Sequence, residues 1–188
     1  MTFYERDFME GTRGTMAVDW EERIDTKRMR NERKERALER MRDAGLSSML
    51  LLSDPNIRYV TGLAMTGGSG ADHYSLLLED GNVVHWDTAD HASNQRFNCP
   101  WLNDVRYACP GLGNVPRASG SQSARRFLLD KMAETVATAL DDYDLKGEAM
   151  GLDVGNAGLV DALERQGVDV DTETCSAVME DARKVKTE

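Results

Sequence analysis

The sequence predicts one α/β domain with a mixed β-sheet and helices on its faces. Short apolar runs alternate with segments of helical periodicity along the 188 residues, a pattern typical of sheets covered by helices. One pair of apolar runs is separated by Asp80-Gly81, which indicates an antiparallel hairpin within the otherwise alternating order. A chain of this length is also enough for one such domain, burying about 70% of its unfolded surface.

The first predicted element is a charged helix that starts at residue 25 or 26 and runs to residue 44. Asp25 and Thr26 are both suitable N-caps. Gly45 provides the stop, and Leu46 is placed for the apolar contact that accompanies such a stop. The apolar positions at helical spacing are Ala37, Leu38 and Met41.

The next elements are strands. Residues 48–52 are continuously apolar, as expected of a strand covered on both faces, and a turn is predicted at Asp54-Pro55-Asn56. Residues 74–79 and 82–87 form the predicted hairpin. A short helix over residues 89–97 and a strand near residues 105–108 follow.

The second half alternates in the same way. Residues 109–120 contain two Pro and three Gly and are predicted to be a loop. An amphipathic helix over residues 121–143 precedes a strand at residues 150–154. The last predicted elements are a helix capped by Asn156 that ends before Gly167, a strand at residues 168–170 and a helix that opens at Thr174.

The charge of the chain is strongly acidic, at −10, and its 23 basic residues comprise 17 Arg and only 6 Lys. Excess carboxylate with few lysines favours a halophilic protein, while ordinary solubility charge remains the alternative. The acidic balance argues against nucleic acid as a partner. The one basic cluster, residues 27–42, is interleaved with Glu and is interpreted as a solvated helix face.

Cysteine usage and hydropathy predict a cytoplasmic protein. There are three cysteines, Cys99, Cys109 and Cys175, and they do not have the spacing of a metal site. An odd number without that spacing is typical of reduced thiols. The N-terminal residues are too charged for a signal peptide, and no run approaches the ~20 apolar residues of a membrane helix.

No complete active site is predicted within this chain. His73, His85 and His91 do not have zinc-ligand spacing, and His85 is expected to be a half-exposed strand residue. The glycine run at residues 67–70 lacks the ending of a phosphate-binding loop and is interpreted as flexible. Asp153 lies at the end of a predicted strand, where it is expected to cap the next helix; catalysis is the alternative.

One motif carries a resemblance. Residues 54–62 read Asp-Pro-Asn-Ile-Arg-Tyr-Val-Thr-Gly, which resembles a motif of the creatinase, prolidase and aminopeptidase P family of metallohydrolases, although one residue between Pro and Asn is missing. The hairpin end His85-Trp86-Asp87, the strand at residues 150–154 and the closing residues 182–188 agree with that family. The resemblance implies a ribonuclease H-like creatinase N-terminal domain.

The implied organisation has three parts. Residues 1–24 are an irregular arm, residues 25–180 the α/β domain, and residues 181–188 the start of a linker to a C-terminal catalytic domain. In the family, that second domain holds the metal ligands, so Mn, Co or Zn is expected there. No metal site and no catalytic residue is expected in this chain.

The resemblance also implies a role. The N-terminal domain of such proteins mediates homodimerisation and places the loop at residues 63–73 over the partner's active site. Arg58, Tyr59, Asp72 and His73 are then the candidate substrate-facing residues, with Arg58 and Tyr59 alternatively serving only to pack and cap the turn. A carboxylate at Asp72 disfavours creatine and favours a substrate with a cationic group.

Three functions follow from this resemblance. The first is gating in an Xaa-Pro dipeptidase or aminopeptidase that acts on small peptides. The second is a role in a relative that lyses dimethylsulfoniopropionate, a small cationic substrate. The third is a non-catalytic module that binds peptides or proteins.

The halophilic interpretation predicts that salt stabilises the fold. Screening is nearly complete above about 1 M salt, where the Debye length is ~3 Å, so repulsion within the −10 chain should fall. The thermal midpoint in about 2 M KCl should exceed that in about 0.1 M KCl by roughly 3 °C or more, equivalent to about 1 kcal/mol. An equal or lower midpoint in high salt would reject the interpretation.

Overall fold

The computed structural model of the chain describes residues 25–63, 73–109 and 121–185. The predicted arm at residues 1–24, most of the predicted loops at residues 63–73 and 109–120, and residues 186–188 lie outside this described part. Within it, no helix is both long and apolar enough to cross a membrane.

The described residues form a six-stranded sheet in the order β4-β3-β2-β1-β5-β6. The two junctions on either side of β2 are antiparallel and the other three are parallel, so the mixed sheet is confirmed. In chain order the strands are β1 Ser48–Leu51, β2 Tyr74–Leu78, β3 Val83–Asp87, β4 Asp104–Tyr107, β5 Ala149–Leu152 and β6 Asp169–Asp171.

Helices cover both faces of this sheet. Helices α1, α2, α3 and α6 contribute to one apolar cluster, and α4 and α5 contribute to the other. The sheet is therefore the middle of three layers, as the continuous apolar runs of β1 and β2 require. The helices are α1 Thr26–Asp43, α2 Asp54–Thr61, α3 Ala89–Asn98, α4 Gln122–Asp142, α5 Ala157–Arg165 and α6 Thr174–Lys184.

Helix α1 has the ends that the sequence predicts. The Asp25 side chain accepts a hydrogen bond from the Arg28 amide at 2.8 Å. At the other end Gly45 has a φ of +71°, and the Leu46 amide donates to the Met41 carbonyl at 3.1 Å. Both the cap and the stop are confirmed.

The predicted turn at Asp54-Pro55-Asn56 is wrong, because this segment is the first turn of helix α2. Pro55 lies at the start of the helix, where its fixed φ suits the helix and its missing N–H leaves no intrahelical bond unmade. Asp54 lies in the same turn, where a carboxylate interacts favourably with the helix dipole. The helix ends at Gly62, which has a φ of +71°.

The hairpin matches its prediction with each strand one residue shorter at the loop, and the last helix begins at Thr174 as predicted. The β2–β3 loop contains three residues, because the Leu78 amide pairs with the Asn82 carbonyl, and Gly81 has a φ of +87°. Helix α6 continues to Lys184, and its Ala182 is buried. Residues 181–184, at the start of the predicted linker, belong to this helix.

The packing of α6 on β5 predicts a specific sensitivity at Gly151. A Cβ added there would lie 2.7 Å from Cδ1 of Leu46 and 2.8 Å from Cβ of Cys175, so the α6 backbone would have to move. Gly151→Ala should lower the free energy of unfolding by about 1–3 kcal/mol in urea titrations.

The matched control is Gly155→Ala, because a Cβ at Gly155 meets nothing within 4 Å. Its effect should stay within about 0.5 kcal/mol. Equal stability of the two variants would contradict the packing described here.

Candidate functional site at the carboxyl edge of the sheet

The strand directions bring several polar residues to one edge of the sheet. Since β2 is antiparallel to both β1 and β3, the carboxyl ends of β1, β3 and β5 lie at the same edge as the start of β2. That edge is where ligands bind in open α/β sheets. The polar residues there are Asp54, His73, Asp87 and Asp153.

Asp153 holds the start of α2 in place. Its buried carboxylate accepts hydrogen bonds from the backbone amides of Leu52 at 2.8 Å and Ser53 at 3.2 Å, and from Nδ2 of Asn56 at 2.8 Å. Burial raises the pKa of Asp153, and these donors oppose that rise. The expectation that Asp153 caps the next helix is wrong, because Asn156 caps α5.

His73 and Asp54 form a pair at the carboxyl edge of the sheet. His73 is where the described chain resumes after residues 64–72, and its Nε2 donates to Oδ1 of Asp54 at 2.9 Å. The His73 side chain is 7% exposed and that of Asp54 is 50% exposed, so the pair joins a buried ring to a carboxylate at the surface. Arg58 lies one helical turn beyond Asp54 in α2 and is exposed.

Tyr59 has a structural position. It is buried, and its hydroxyl donates to the Ala182 carbonyl at 2.6 Å, which joins α2 to α6. The guanidinium of Arg33 lies 5.7 Å from the ring centre. The structure thus places His73 at the candidate site, leaves Arg58 exposed in the last turn of α2 and directs Tyr59 into the core, and Asp72 lies outside the described residues.

Next to this pair lies a buried polar cluster that the sequence analysis missed. Ser75 Oγ lies 2.7 Å from Nδ1 of His85 across the β2–β3 pair. Nε2 of His85 is 3.7 Å from Oδ2 of Asp87, which is too long for a hydrogen bond, and Nε2 has no other partner. Asp87 accepts from the Thr88 amide and from Nε2 of Gln95, both at 2.7 Å.

The expectation that His85 is half-exposed is wrong, because it has no exposed surface. The cause is that α-helices cover both faces of β3. The alternation of polar and apolar residues along one strand does not reveal this cover. A usable signal did exist, because the hairpin register makes Ser75 and His85 direct neighbours. His91 also points to this cluster, with its Nδ1 3.4 Å from Oδ1 of Asp87.

The side chains are arranged in space in the Ser-His-Asp order of a catalytic triad, as Ser75, His85 and Asp87. The burial of all three excludes a catalytic role. None of the three side chains is more than 3% exposed, so no substrate can reach the serine in this arrangement. Burial lowers the pKa of His85, which keeps its ring neutral. Burial alone would raise the pKa of Asp87, but the His85 ring and the bonds from Thr88 and Gln95 hold it below its ordinary value.

The described residues do not fit a catalytic metal. Among them no group of three or more His, Cys, Asp or Glu side chains is placed to hold an ion. None of Cys99, Cys109 and Cys175 forms a disulfide, and burial raises the pKa of Cys175. No step of metal chemistry therefore derives from these residues.

Comparison with protein families identifies one match. The family described as the creatinase/prolidase N-terminal domain matches residues 33–185, which is most of the chain. No curated protein matches the chain.

Several solved structures share the fold. The Xaa-Pro dipeptidase from Bacillus anthracis gives a TM-score of 0.58 at 15% identity, over 85% of this chain and 37% of that one. The aminopeptidase P from Streptococcus thermophilus gives 0.55 at 16% identity, over 82% and 98%. The N-terminal domain of a cytoplasmic peptidase from Mycobacterium tuberculosis gives 0.50 at 16% identity, over 80% and 98%. At such identities the likeness concerns the fold alone.

The buried His85 predicts a loss of stability in mild acid. Because its pKa is lowered in the folded state, the unfolded chain binds the proton more readily below the ordinary value of 6.5. The free energy of unfolding should fall by up to about 1.4 kcal/mol per pH unit below that value. Urea titrations between about pH 7.5 and pH 5.5 measure this slope.

The variant His85→Gln should reduce the slope, because it removes the buried imidazole. Asp153, whose raised pKa acts in the opposite direction, is common to both proteins and cancels in the comparison. The same slope in wild type and His85→Gln would contradict the assignment.

Proposed function

The chain belongs to the family of creatinase/prolidase N-terminal domains, and from this premise we propose that it is the dimerising and substrate-gating domain of a metal-dependent peptidase that cleaves Xaa-Pro bonds. The observation that carries the proposal is the family match. The exposed Arg58, one helical turn beyond the Asp54 of the Asp54–His73 pair, is the candidate for substrate contact. The Xaa-Pro dipeptidase from Bacillus anthracis shares this fold, and the activity class proposed here is taken by analogy from its name.

The proposal assigns catalysis to residues beyond this chain. The chain spans 37% of the length of the Bacillus anthracis protein, so that relative contains a long segment with no counterpart here. A divalent metal, Mn, Co or Zn, would be held by a separate catalytic domain and would supply an activated water. The contribution of this chain is to bind and orient the substrate.

Arg58 is proposed to attract a carboxylate of the substrate. A guanidinium can donate two parallel hydrogen bonds to a carboxylate, and a dipeptide carries one at its C-terminus. The neighbouring His73 is held by Asp54 at the end of the loop that returns to β2, and we assign it a positioning role. Asp72, in the loop itself, would pair with the peptide amino group.

Gating is proposed to occur in a homodimer. A loop can cover only an active site whose catalytic residues lie outside the loop. The described residues of this chain hold no metal cluster. The required active site then belongs to a catalytic domain, either its own or that of the second subunit. Closure of such a loop would exclude water and orient the substrate.

The decisive experiment measures Xaa-Pro hydrolysis by the complete product of the gene that encodes this chain. With Mn²⁺ added, that product should cleave Ala-Pro, and the 188-residue chain alone should not. Arg58→Ala should lower kcat/KM about tenfold, because a charge-assisted contact is worth roughly 1.5–3 kcal/mol.

The control is Arg126→Ala, which removes another exposed arginine from α4, the helix on the opposite face of the sheet. It should keep wild-type kinetics, and both variants should keep the wild-type thermal midpoint. Metal-dependent hydrolysis by the chain alone would overturn the division of roles. Wild-type kinetics in Arg58→Ala would overturn its contact with substrate.

A further inference from the structure

A cleft of about 450 Å³ opens at the other edge of the sheet. It lies between the first half of α1, the end of α2, the tip of the β2–β3 hairpin and residues 100–103. The hairpin tip follows the end of β2, whereas the candidate site lies at the start of that strand. The cleft is therefore separate from the carboxyl edge.

The charge of this cleft is opposite to that of the chain. Among the described residues that line it there is no Asp or Glu, although the sequence contains 33 of them and has a net charge of −10. Three lining residues are cations of α1, namely Lys27, Arg30 and Lys34. Their spacing of three and four residues places them on one face of the helix.

Two of these cations are held in place by the surrounding structure. The guanidinium carbon of Arg30 lies 4.0 Å from the ring centre of Trp101, and Nε1 of Trp101 donates to the Thr61 carbonyl at 2.8 Å. Nζ of Lys34 donates to the Gly81 carbonyl at 3.0 Å. Cations that are already ordered lose little side-chain entropy when they bind a ligand.

Other cations of α1 form ion pairs with carboxylates. Arg28 and Arg36 approach Glu32 at 3.4 and 3.6 Å, and Arg40 approaches Asp181 at 2.9 Å. These pairs match the interpretation of α1 as a solvated face with interleaved charges. The face that carries Lys27 and Lys34 instead borders the cleft, so that interpretation holds for only part of the helix.

We propose that this cleft binds a small polyanion, a molecule with several phosphate or carboxylate groups. Its volume lies within the ~300–1,000 Å³ typical of small-molecule sites. The cations supply charge, and the side-chain amides of Asn31 and Asn103 supply further hydrogen-bond donors, whereas Nδ2 of Asn82 already donates to Asp80 at 2.6 Å. Neither the family nor the proposed peptidase activity requires such a site.

Calorimetric titration of the 188-residue chain with sodium tripolyphosphate, and separately with citrate, tests the proposal. Binding of either anion is expected in about 0.1 M KCl, and added salt should weaken it by screening. The anion that binds identifies the acidic group preferred. Lys27→Gln and Lys34→Met should each weaken binding about tenfold through loss of one charged contact.

Lys146→Gln is the control, since this exposed lysine lies outside the cleft, 3.8 Å from Asp141. It should bind like wild type. Lys27 is exposed at the start of α1, so Lys27→Gln keeps the test valid if Lys34→Met unfolds, which thermal melts report. Failure of both anions to bind, or wild-type affinity in Lys27→Gln, would overturn the site without affecting the proposed peptidase role.

Discussion

The buried carboxylate of Asp153 is the interaction on which the geometry of this domain depends. It stands at the end of β5 and accepts hydrogen bonds from Leu52, Ser53 and Asn56, where β1 ends and α2 begins. A charge in this position is costly unless donors surround it, and the backbone amides at a helix start are suitable donors. One side chain thereby fixes the parallel β1–β5 pair and the direction in which α2 leaves the sheet.

The direction of α2 connects the two edges of the sheet. Its first turn carries Asp54 at the carboxyl edge, next to His73. Its far end, at Thr61, accepts the hydrogen bond from Trp101 and so forms part of the basic cleft. A shift of this short helix would therefore change both proposed sites together, although the ligands proposed for the two sites differ.

The hairpin between β2 and β3 presents a different pair of side chains to each covered face of the sheet. Tyr74 and Trp86 stack on one face with ring centres 4.9 Å apart, and Ser75 and His85 pair on the other. The aromatic contact and the short Ser75–His85 bond offset the cost of burying an imidazole, one of whose nitrogens has no partner. The same burial makes His85 a source of acid sensitivity in the fold.

The sequence by itself determined what depends on near neighbours. The Asp25 cap, the Gly45 stop and the Asp80-Gly81 hairpin act over a few residues, and all three appear in the structure. Tertiary structure decided what depends on distant residues: α2 in place of a turn, the burial of His85 and the basic cleft. The physical reason is that their partners are far apart along the chain, as Leu52 and Asp153 are at a separation of 101 residues. Local propensity cannot report such contacts, and only the folded sheet brings them together.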